Sequence, residues 1–381
     1  MQTNRIKVFF YIDSFRIGGM HRQVLYLVKH MNKEIFEPIM CTSNSDGGLL
    51  GEYEKVGCKL IDLGWKRTID FAYEIKLVKI LYSVKPDIVF ISEAQNLFYF
   101  RIAKFFWFKK IIQIGSFRAM TFWKGHLNKF YHIIDTLFSK WLYLSSDCVV
   151  VNSYAMKNHY SSILKIKPNN PIKVIYNGSD FDFAVTKSSE TIRNEINIAV
   201  DEFVIIMIAR LDPWKDFVTL FEAAKIVIAV DKKAKFVIVG DGELRYSLEQ
   251  MIEEMDLKNN IQLLYEKKDI FNYLNSTDIS VLSTNGEGFS NSILESMAMG
   301  KPIIATNVGG NSELLGANEF GILVDPKSSI MLADAIIELI KDENKRKDLG
   351  KNARERIFEL CNIEKLIHSY EELFIERLNN I

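Results

Sequence analysis

Two glutamates lie eight residues apart in the segment EGFSNSILESMAMGKP, which starts at Glu287 and includes Glu295. A predicted strand ends near Leu282, and a predicted helix begins at about Ser290. A glycine-bearing turn from a strand into a helix exposes backbone N–H groups at the positive end of the helix dipole, where anions bind. The two carboxylates could then bind hydroxyl groups on two parts of one extended ligand. A Glu287 that merely favours the helix dipole and a solvated Glu295 would have the same spacing, so both interpretations stay open.

Two cations follow the predicted strand at residues 203–209. Arg210 and Lys215 flank the start of the next predicted helix, beside Pro213. An arginine offers a planar fork to phosphate oxygens, and a lysine adds a point charge. A departing nucleoside diphosphate develops negative charge that a metal ion or such cations must neutralise. The pair therefore indicates phosphate binding without a metal, although two solvated surface cations would give the same pattern.

Short β-branched or aromatic runs alternate with helical patterns along the chain. The strands predicted in the first half lie at residues 6–12, 36–41, 58–62, 87–92, 111–115, 147–152 and 173–176. Those predicted in the second half lie at residues 203–209, 235–239, 261–264, 279–282, 302–306 and 321–324. Strand–helix alternation implies parallel sheets with crossover helices, which bind ligands at the carboxyl ends of their strands.

The length of the chain predicts more than one domain. One hydrophobic core seldom supports as many as 381 residues, so two domains are expected. Asn177-Gly178-Ser179-Asp180 signals a turn, and the polar stretch from there to about Asp201 is interpreted as the interdomain connection. The chain is therefore expected to fold as two successive α/β domains.

Together these segments resemble glycosyltransferase family 4, a large group of retaining enzymes with the GT-B fold. The matching segments are the two-glutamate segment with its continuation IIATNVGG, ARL with KD (209–216), VGDG (239–242), NS (152–153), YNGSD (176–180) and GG (18–19). The resemblance implies two Rossmann-like α/β domains facing a central cleft. Residues 1–180 would bind the acceptor, residues 181–355 would bind the nucleotide sugar, and a helix at 356–381 would pack back on the first domain.

The resemblance also implies a role for each residue of the second domain that matches. Arg210 and Lys215 would hold the donor diphosphate. Glu295 would bind the ribose hydroxyls, and Glu287 would contact the hydroxyls of the sugar. The backbone that lines the sugar and phosphates would come from Gly288, Phe289, Ser290 and Asn291.

The matching glycines would allow close approach to substrates. Gly240 and Gly242 would keep the chain close to the donor, whose base would lie near residues 264–270. Gly18 and Gly19 would let the first loop approach the phosphates and the acceptor.

Two features depart from the family pattern. Family members often follow the Gly-Gly pair with Ala-Glu, whereas this chain has Met20-His21. Many also place a histidine near the reacting sugar, where this chain has Ser116-Phe117-Arg118. A guanidinium is always protonated and cannot act as a base, so Arg118 would stabilise charge or fix the donor sugar. The predicted catalytic residues are Glu287, Arg118, Arg210 and Lys215.

Other possible signals are excluded by their context. The four cysteines form no CxxC pair, which fits a reducing compartment, and the histidines lack metal-ligand spacing. There is no P-loop and no nucleic-acid-binding motif. Asp180-Phe181-Asp182 matches the DxD string of metal-dependent transferases but lies in the turn at the predicted connection. No metal or other cofactor and no nucleic-acid partner is expected.

The segment at residues 97–145 combines cations with aromatic residues. It holds eight Lys and Arg, one acidic residue and fifteen Phe, Tyr and Trp. The half of the chain to which it belongs, residues 1–180, carries 25 Lys and Arg against 14 Asp and Glu. Such a composition favours docking on an anionic membrane surface, although a basic face above a buried aromatic core would look similar.

The sequence therefore predicts a retaining, metal-independent glycosyltransferase, cytoplasmic and peripheral on the inner face of the membrane. The predicted donor is a UDP-sugar, with a GDP-sugar as the alternative. The predicted acceptor is a lipid-linked or surface glycan of the cell envelope. The leaving phosphate would take the acceptor proton, because no nucleophile is evident. A nucleotide-sugar epimerase of the same fold and a non-catalytic binding subunit remain alternatives.

Overall fold

The structure is a computed structural model that describes residues 5–65, 71–92, 94–107, 109–118, 129–164 and 171–380. The chain divides into two compact units. The first comprises Met1–Ser179 together with Ile363–Ile381, and the second comprises Asp180–Asn362. The chain thus passes twice between the units.

A parallel sheet of seven strands forms the centre of the first unit. Its strands are β1 (Ile6–Ile12), β2 (Phe36–Thr42), β3 (Lys59–Asp62), β4 (Ile88–Ile91), β5 (Ile112–Phe117), β6 (Cys148–Val151) and β7 (Ile172–Val174). The helices that accompany them are α1 (Gly19–His30), α2 (Leu50–Val56), α3 (Phe71–Val84), α4 (Ala94–Phe105), α5 (Lys129–Ser145) and α6 (Tyr154–Ile163).

Strand β1 shows why a strand of this sheet can be predicted from the sequence. Its side chains alternate between two hydrophobic cores, with Phe9 and Tyr11 in one and Val8 and Phe10 in the other. A strand that is buried on both faces needs an almost continuous apolar run. The sequence IKVFFYI provides such a run.

The second unit contains a parallel sheet of six strands. Its strands are β8 (Phe203–Ile208), β9 (Ala234–Val239), β10 (Ile261–Leu264), β11 (Ile279–Leu282), β12 (Ile303–Thr306) and β13 (Ile322–Val324). Its helices are α7 (Ser189–Glu195), α8 (Phe217–Val230), α9 (Arg245–Glu254), α10 (Ile270–Asn275), α11 (Asn291–Ala298), α12 (Asn311–Leu315), α13 (Ser329–Lys341) and α14 (Glu343–Leu360). The prediction of two α/β units with parallel sheets is confirmed.

Both sheets have a topological switch point, at which successive connections leave in opposite directions. The first sheet has the order β3-β2-β1-β4-β5-β6-β7, and the second has the order β10-β9-β8-β11-β12-β13. The reversal therefore falls between β1 and β4 in one sheet and between β8 and β11 in the other. A crevice opens at the carboxyl ends of the strands at such a point, and ligands bind there.

The last helix, α15 (Ile363–Asn379), belongs to the first unit. Its residues at helical spacing, Leu366, Tyr370 and Phe374 among them, are buried in the core that contains Val8 and Phe10. The boundary lies after Asn362 rather than after residue 355, because α14 continues to Leu360 and remains in the second unit.

The interpretation of residues 181–201 as an interdomain connection is wrong for its second half. Helix α7 lies there, capped by Ser188, whose Oγ accepts a hydrogen bond from the Thr191 N–H at 3.1 Å. Ile192 is fully buried in the core of the second unit. Arg193 contributes to the polar composition of this stretch. Its side chain is nevertheless buried as well, and its Nη2 lies 3.0 Å from Oδ2 of Asp278.

Candidate functional site

The predicted phosphate-binding and sugar-binding segments meet at the switch point of the second sheet. Strands β8 and β11 are neighbours, with Ile205 opposite Ile279. The loops that follow them are joined by backbone hydrogen bonds, from Asp216 N–H to the Ser283 carbonyl at 3.1 Å and from Asn285 N–H to the Trp214 carbonyl at 2.8 Å. These bonds hold the two loops in a fixed arrangement.

Lys215 and Glu287 form an ion pair across these loops. The Lys215 ammonium donates a hydrogen bond to Glu287 Oε2, and the two side chains are only 14% and 20% exposed. The two residues were predicted to contact different parts of a donor, and their pairing was not predicted. The ammonium has three donors, and among the described contacts only one of them is used, by the carboxylate.

Arg210 lies at the same switch point, with a side chain that is 67% exposed. Its Nε donates a hydrogen bond to Asp212 Oδ2 at 2.7 Å, and Asp212 Oδ1 in turn accepts from the Trp214 N–H at 3.1 Å. The two terminal nitrogens of Arg210 bond to no described residue. Asp212 therefore orients the guanidinium and leaves its fork available for phosphate oxygens. Asp212 was not predicted as a site residue, although its place two residues after Arg210 was a usable signal.

Gly240 and Gly242 pack against the loop that carries Arg210. A Cβ atom on Gly240 would lie 1.9 Å from the Ala209 carbonyl oxygen, and one on Gly242 would lie 2.3 Å from that of Leu211. Backbone packing therefore requires both glycines whether or not a donor is bound. Their predicted closeness to the donor stays a prediction.

The amino end of α11 is organised by Ser290, whose Oγ accepts a hydrogen bond from the Ile293 N–H at 3.3 Å. Phe289 and Ser290 are buried, and the Gly288 carbonyl accepts from the Gly310 N–H at 3.2 Å. A neighbouring glycine, Gly309, approaches so closely that a Cβ there would lie 1.6 Å from the Glu287 carbonyl oxygen. The predicted helix start is confirmed, and the backbone before it is held in place.

The remaining residues predicted for this segment lie on α11 itself. Asn291 is its first residue, and Glu295 follows one turn later, with both side chains partly exposed. The predicted contact of Glu295 with a ribose stays a prediction.

In the first unit, Gly18 and Gly19 form the start of α1, where Gly18 is the N-cap. A Cβ on Gly18 would lie 3.2 Å from Nδ1 of His21. His21 Nε2 lies 2.7 Å from Oδ1 of Asp13, directly after β1, so the residue that departs from the family pattern at position 21 makes a local hydrogen bond. Burial raises the pKa of Asp13, but His21 and Arg16 outweigh it and hold that pKa below its ordinary value.

Arg118 connects three parts of the first unit. Its Nε donates to Ser116 Oγ at 2.9 Å, its Nη1 to Asn177 Oδ1 at 2.7 Å, and its Nη2 to the Tyr370 hydroxyl. Asn177 lies just before the first passage to the second unit, and Tyr370 lies on α15 after the return. The guanidinium thus anchors both passages, while its predicted catalytic role stays a prediction.

Within the described ranges, no group of three or more His, Cys, Asp and Glu side chains could hold a metal ion. The DxD-like string contains Phe181, whose ring stacks on Phe358 with centroids 4.2 Å apart. No helix in the described part of the chain is long and apolar enough to cross a membrane.

Two family models match the chain, one to each part. Glycosyltransferase Family 4 matches residues 17–183, and Glycosyl transferases group 1 matches residues 188–356. The fold is GT-B: the structure of Anabaena Alr3699/HepE in complex with UDP and glucose superposes with a TM-score of 0.82 at 20% identity. That alignment covers 97% of this chain and 99% of the other. The chain belongs to glycosyltransferase family 4, as the resemblance implied.

The relatives of this chain include two proteins whose names state an activity. N-acetyl-alpha-D-glucosaminyl L-malate synthase of Bacillus anthracis is 29% identical over 62% of this chain and 61% of its own length. UDP-Gal:alpha-D-GlcNAc-diphosphoundecaprenol alpha-1,3-galactosyltransferase of Escherichia coli is 34% identical over 55% of each protein. The matches thus span less than two thirds of either relative.

Proposed function

We propose that this protein is a retaining, metal-independent glycosyltransferase that transfers a hexosyl group from a UDP-sugar to a lipid-linked or surface-glycan acceptor of the cell envelope. The observation that carries the proposal is the meeting of Arg210, Lys215 and Glu287 at one switch point. Two cations there can neutralise a departing diphosphate, and a carboxylate beside them can bind sugar hydroxyls. The leaving phosphate itself takes the proton of the acceptor hydroxyl.

Two of the named proteins support the finer choices. The Escherichia coli relative is named for a UDP-galactose donor and a diphosphoundecaprenol acceptor, and the Anabaena structure holds UDP. A UDP-sugar and a lipid-linked glycan are therefore the first substrates to test, with a GDP-sugar as the second donor.

A nucleotide-release assay tests the donor and the metal independence together. UDP-, GDP- and ADP-sugars are each incubated with the protein and with membrane extract as acceptor. We expect release from UDP-sugars, unchanged by EDTA, because Arg210 and Lys215 supply the positive charge. Loss of release in EDTA that Mg²⁺ or Mn²⁺ restores would contradict metal independence. Conversion of the nucleotide sugar to an isomer without release would favour the epimerase.

We also propose that the first unit docks on anionic membrane through a basic aromatic face on α4 and the residues after it. Phe98, Phe105 and Phe106 are 47%, 81% and 52% exposed. Arg101 and Lys109 are exposed beside them. Exposed aromatic rings with cations fit the headgroup boundary of an anionic leaflet.

Some residues of the segment at 97–145 do not belong to this face. Trp107 is 7% exposed, and Arg118 bonds to Tyr370, so neither contributes to the face. Burial lowers the pKa of Lys104, which is only partly exposed. Lys124 lies outside the described residues.

Liposome flotation tests the docking face. We expect binding to vesicles rich in phosphatidylglycerol that fades at high salt and falls when Arg101, Lys109 and Lys110 are changed together to Gln. Each cation near such a surface contributes about 1 kcal/mol, so the triple change should weaken binding by about a hundredfold.

The matched control removes the same charge from the second unit. Lys225, Lys232 and Lys351 are all exposed there, and their joint change to Gln should leave flotation unaltered. Equal loss in both triple variants would mean that net charge alone drives binding. A wild-type protein that stays unbound at low salt would refute the docking face.

A further inference from the structure

We propose that a cleft between β3 and α3 binds one molecule of an anionic lipid, with the lipid head beside lysines and the hydrocarbon chains on an apolar floor. This site goes beyond the transfer reaction, and it is separate from the docking face, which recognises the membrane surface as a whole. The cleft is called the basic cleft below, and the residues that define it are Lys59 and Ile61 of β3 and Lys76, Lys79, Ile80 and Val84 of α3.

The basic cleft lies at an outer edge of the first sheet. Among the described strands, β3 pairs only with β2. Lys59 is the first residue of β3, and Val84 is the last residue of α3. A crossover helix runs antiparallel to its strands, so both residues lie at the amino edge of the sheet. Substrates of parallel α/β sheets bind at the opposite, carboxyl edge, so the basic cleft is not part of the substrate crevice.

The floor of the basic cleft is apolar. The cleft is an open cavity of about 410 Å³, which is within the range of small-ligand pockets. Ile61 and Ile80 are partly buried and pack on the hydrophobic core beneath them, and Val84 is only 4% exposed. Hydrocarbon that covers such a floor is removed from water together with it, which lowers the free energy.

Three exposed lysines surround this floor. Lys76 Nζ donates a hydrogen bond to the Asp62 carbonyl at 2.6 Å. Lys59 and Lys79 make no ion pair or hydrogen bond among the described contacts. No acidic residue is among the described residues that line the cleft. Cations without acidic partners favour an anionic head, and a lysine binds a phosphate as a point charge.

The carboxyl end of α3 does not cancel this positive charge. The last carbonyl groups of a helix carry partial negative charge, which would repel an anion. Here the Val84 carbonyl accepts a hydrogen bond from Lys7 Nζ at 3.1 Å. A cation therefore already lies at the end of the helix, and an anion beside Lys59 and Lys79 meets a positive surrounding.

An extended peptide paired with β3 fits this edge less well than a lipid. Leu63 N–H donates to the Thr42 carbonyl of β2 at 2.9 Å, so the alternate residues Leu60 and Asp62 direct their backbone groups away from β2. The outward Asp62 carbonyl is already bonded to Lys76. The backbone groups of Leu60 and the Asp62 N–H are too few for a ladder with a second chain. Lysine on an edge strand commonly prevents such pairing.

The docking face extends to the basic cleft through α3. The Tyr82 hydroxyl of α3 donates to the Phe106 carbonyl at 2.6 Å, and the Tyr82 and Trp107 rings have centroids 4.9 Å apart. Phe106 belongs to the docking face and follows α4 at the same amino edge of the sheet. Helix α3 thus borders both features. A membrane bound by the docking face would therefore present its lipid heads beside the basic cleft.

Soluble short-chain lipids test the basic cleft without a membrane. The probes are dihexanoylphosphatidylglycerol, dihexanoylphosphatidylcholine, which has the same chains on a zwitterionic head, and glycerol 1-phosphate, which has no chains. Each is titrated below its critical micelle concentration by saturation-transfer NMR. We expect the phosphatidylglycerol to bind about tenfold more tightly than either other probe, because it alone fits both the lysines and the floor.

The variant with Lys59→Gln and Lys79→Gln should bind the phosphatidylglycerol about tenfold more weakly, the value of two exposed ion pairs. Its unfolding temperature should equal that of the wild type, because neither lysine has a partner among the described contacts. The matched control changes Lys55 and Lys225 together to Gln. These two lysines are exposed on α2 and α8, and the control should bind as the wild type does.

The outcomes separate the basic cleft from the other proposals. Equal binding of all three probes to the wild type, or equal binding of phosphatidylglycerol to the Lys59 and Lys79 variant and to the wild type, would overturn the site. The triple variant of the docking face, at Arg101, Lys109 and Lys110, should bind the soluble lipid normally. Loss of binding in that variant alone would assign the lipid to the docking face and overturn the cleft. Nucleotide release is measured in parallel, and its absence would refute the transferase without affecting the cleft.

Discussion

Lys215→Ala should lower both the stability of the second unit and its affinity for the donor. The substitution leaves the Glu287 carboxylate, 20% exposed, without its cation. Breaking one side of a largely buried pair costs about 3 kcal/mol of the free energy of unfolding. It also removes a charge that would neutralise the diphosphate.

Arg210→Ala should behave differently, because the Arg210 side chain is 67% exposed and bonds only through Nε among the described contacts. We expect an unchanged unfolding temperature with a loss of about 1.5–3 kcal/mol in UDP binding, the value of charge-assisted hydrogen bonds. That corresponds to about a tenfold to hundredfold rise in the dissociation constant.

Calorimetric titration with UDP and GDP, together with thermal unfolding, separates the two effects. The double variant Lys215→Ala, Glu287→Gln closes a double-mutant cycle and should recover part of the lost stability, because no uncompensated carboxylate remains. An unchanged dissociation constant for both nucleotides in Arg210→Ala would refute the assignment of Arg210 to the diphosphate.

Substitution of Glu287 and substitution of Glu295 should impair different properties, turnover in the first case and nucleotide binding in the second. Glu287→Gln should lower turnover by about a hundredfold, because its carboxylate would face a sugar that becomes cationic in the transition state. Glu295→Gln should leave turnover at saturation unchanged and weaken nucleotide binding by about tenfold, the value of a hydrogen bond to a charged group.

Steady-state kinetics with a fixed acceptor, and UDP titrations of each variant, make this comparison. Each glutamate serves as the control for the other, since both substitutions remove one charge from the same segment. Loss of nucleotide affinity alone in both variants would mean that Glu287 has no role in the transition state.

The central strands could be predicted from the sequence because they are buried on two faces. A strand such as β8, with the sequence FVIIMI, cannot be mistaken for a solvated segment. Helix α7 was missed because its only fully buried apolar residue, Ile192, is surrounded by polar residues. Burial of Arg193 depends on carbonyl groups and on Asp278, which come from distant parts of the chain.

The residues of the candidate site could be predicted from the sequence, but the contacts between them could not. Arg210, Lys215 and Glu287 were found because each follows a predicted strand. The pairing of Lys215 with Glu287 depends on the adjacency of β8 and β11, and strand order is set by the whole sheet rather than by any local pattern.

The two passages of the chain between units impose an order on folding. Tyr370 and Phe374 of α15 contact the rings of Phe90 and Phe36, so the last helix completes the core of the first unit. During synthesis the ribosome must first add all of Asp180–Asn362, which takes about 10–40 s at ordinary rates. The first unit to be translated is therefore the last to be finished, and it carries an open apolar surface while the second unit folds. A gene fragment that encodes the second unit is therefore continuous. A gene fragment that encodes the first unit must join two separate coding segments.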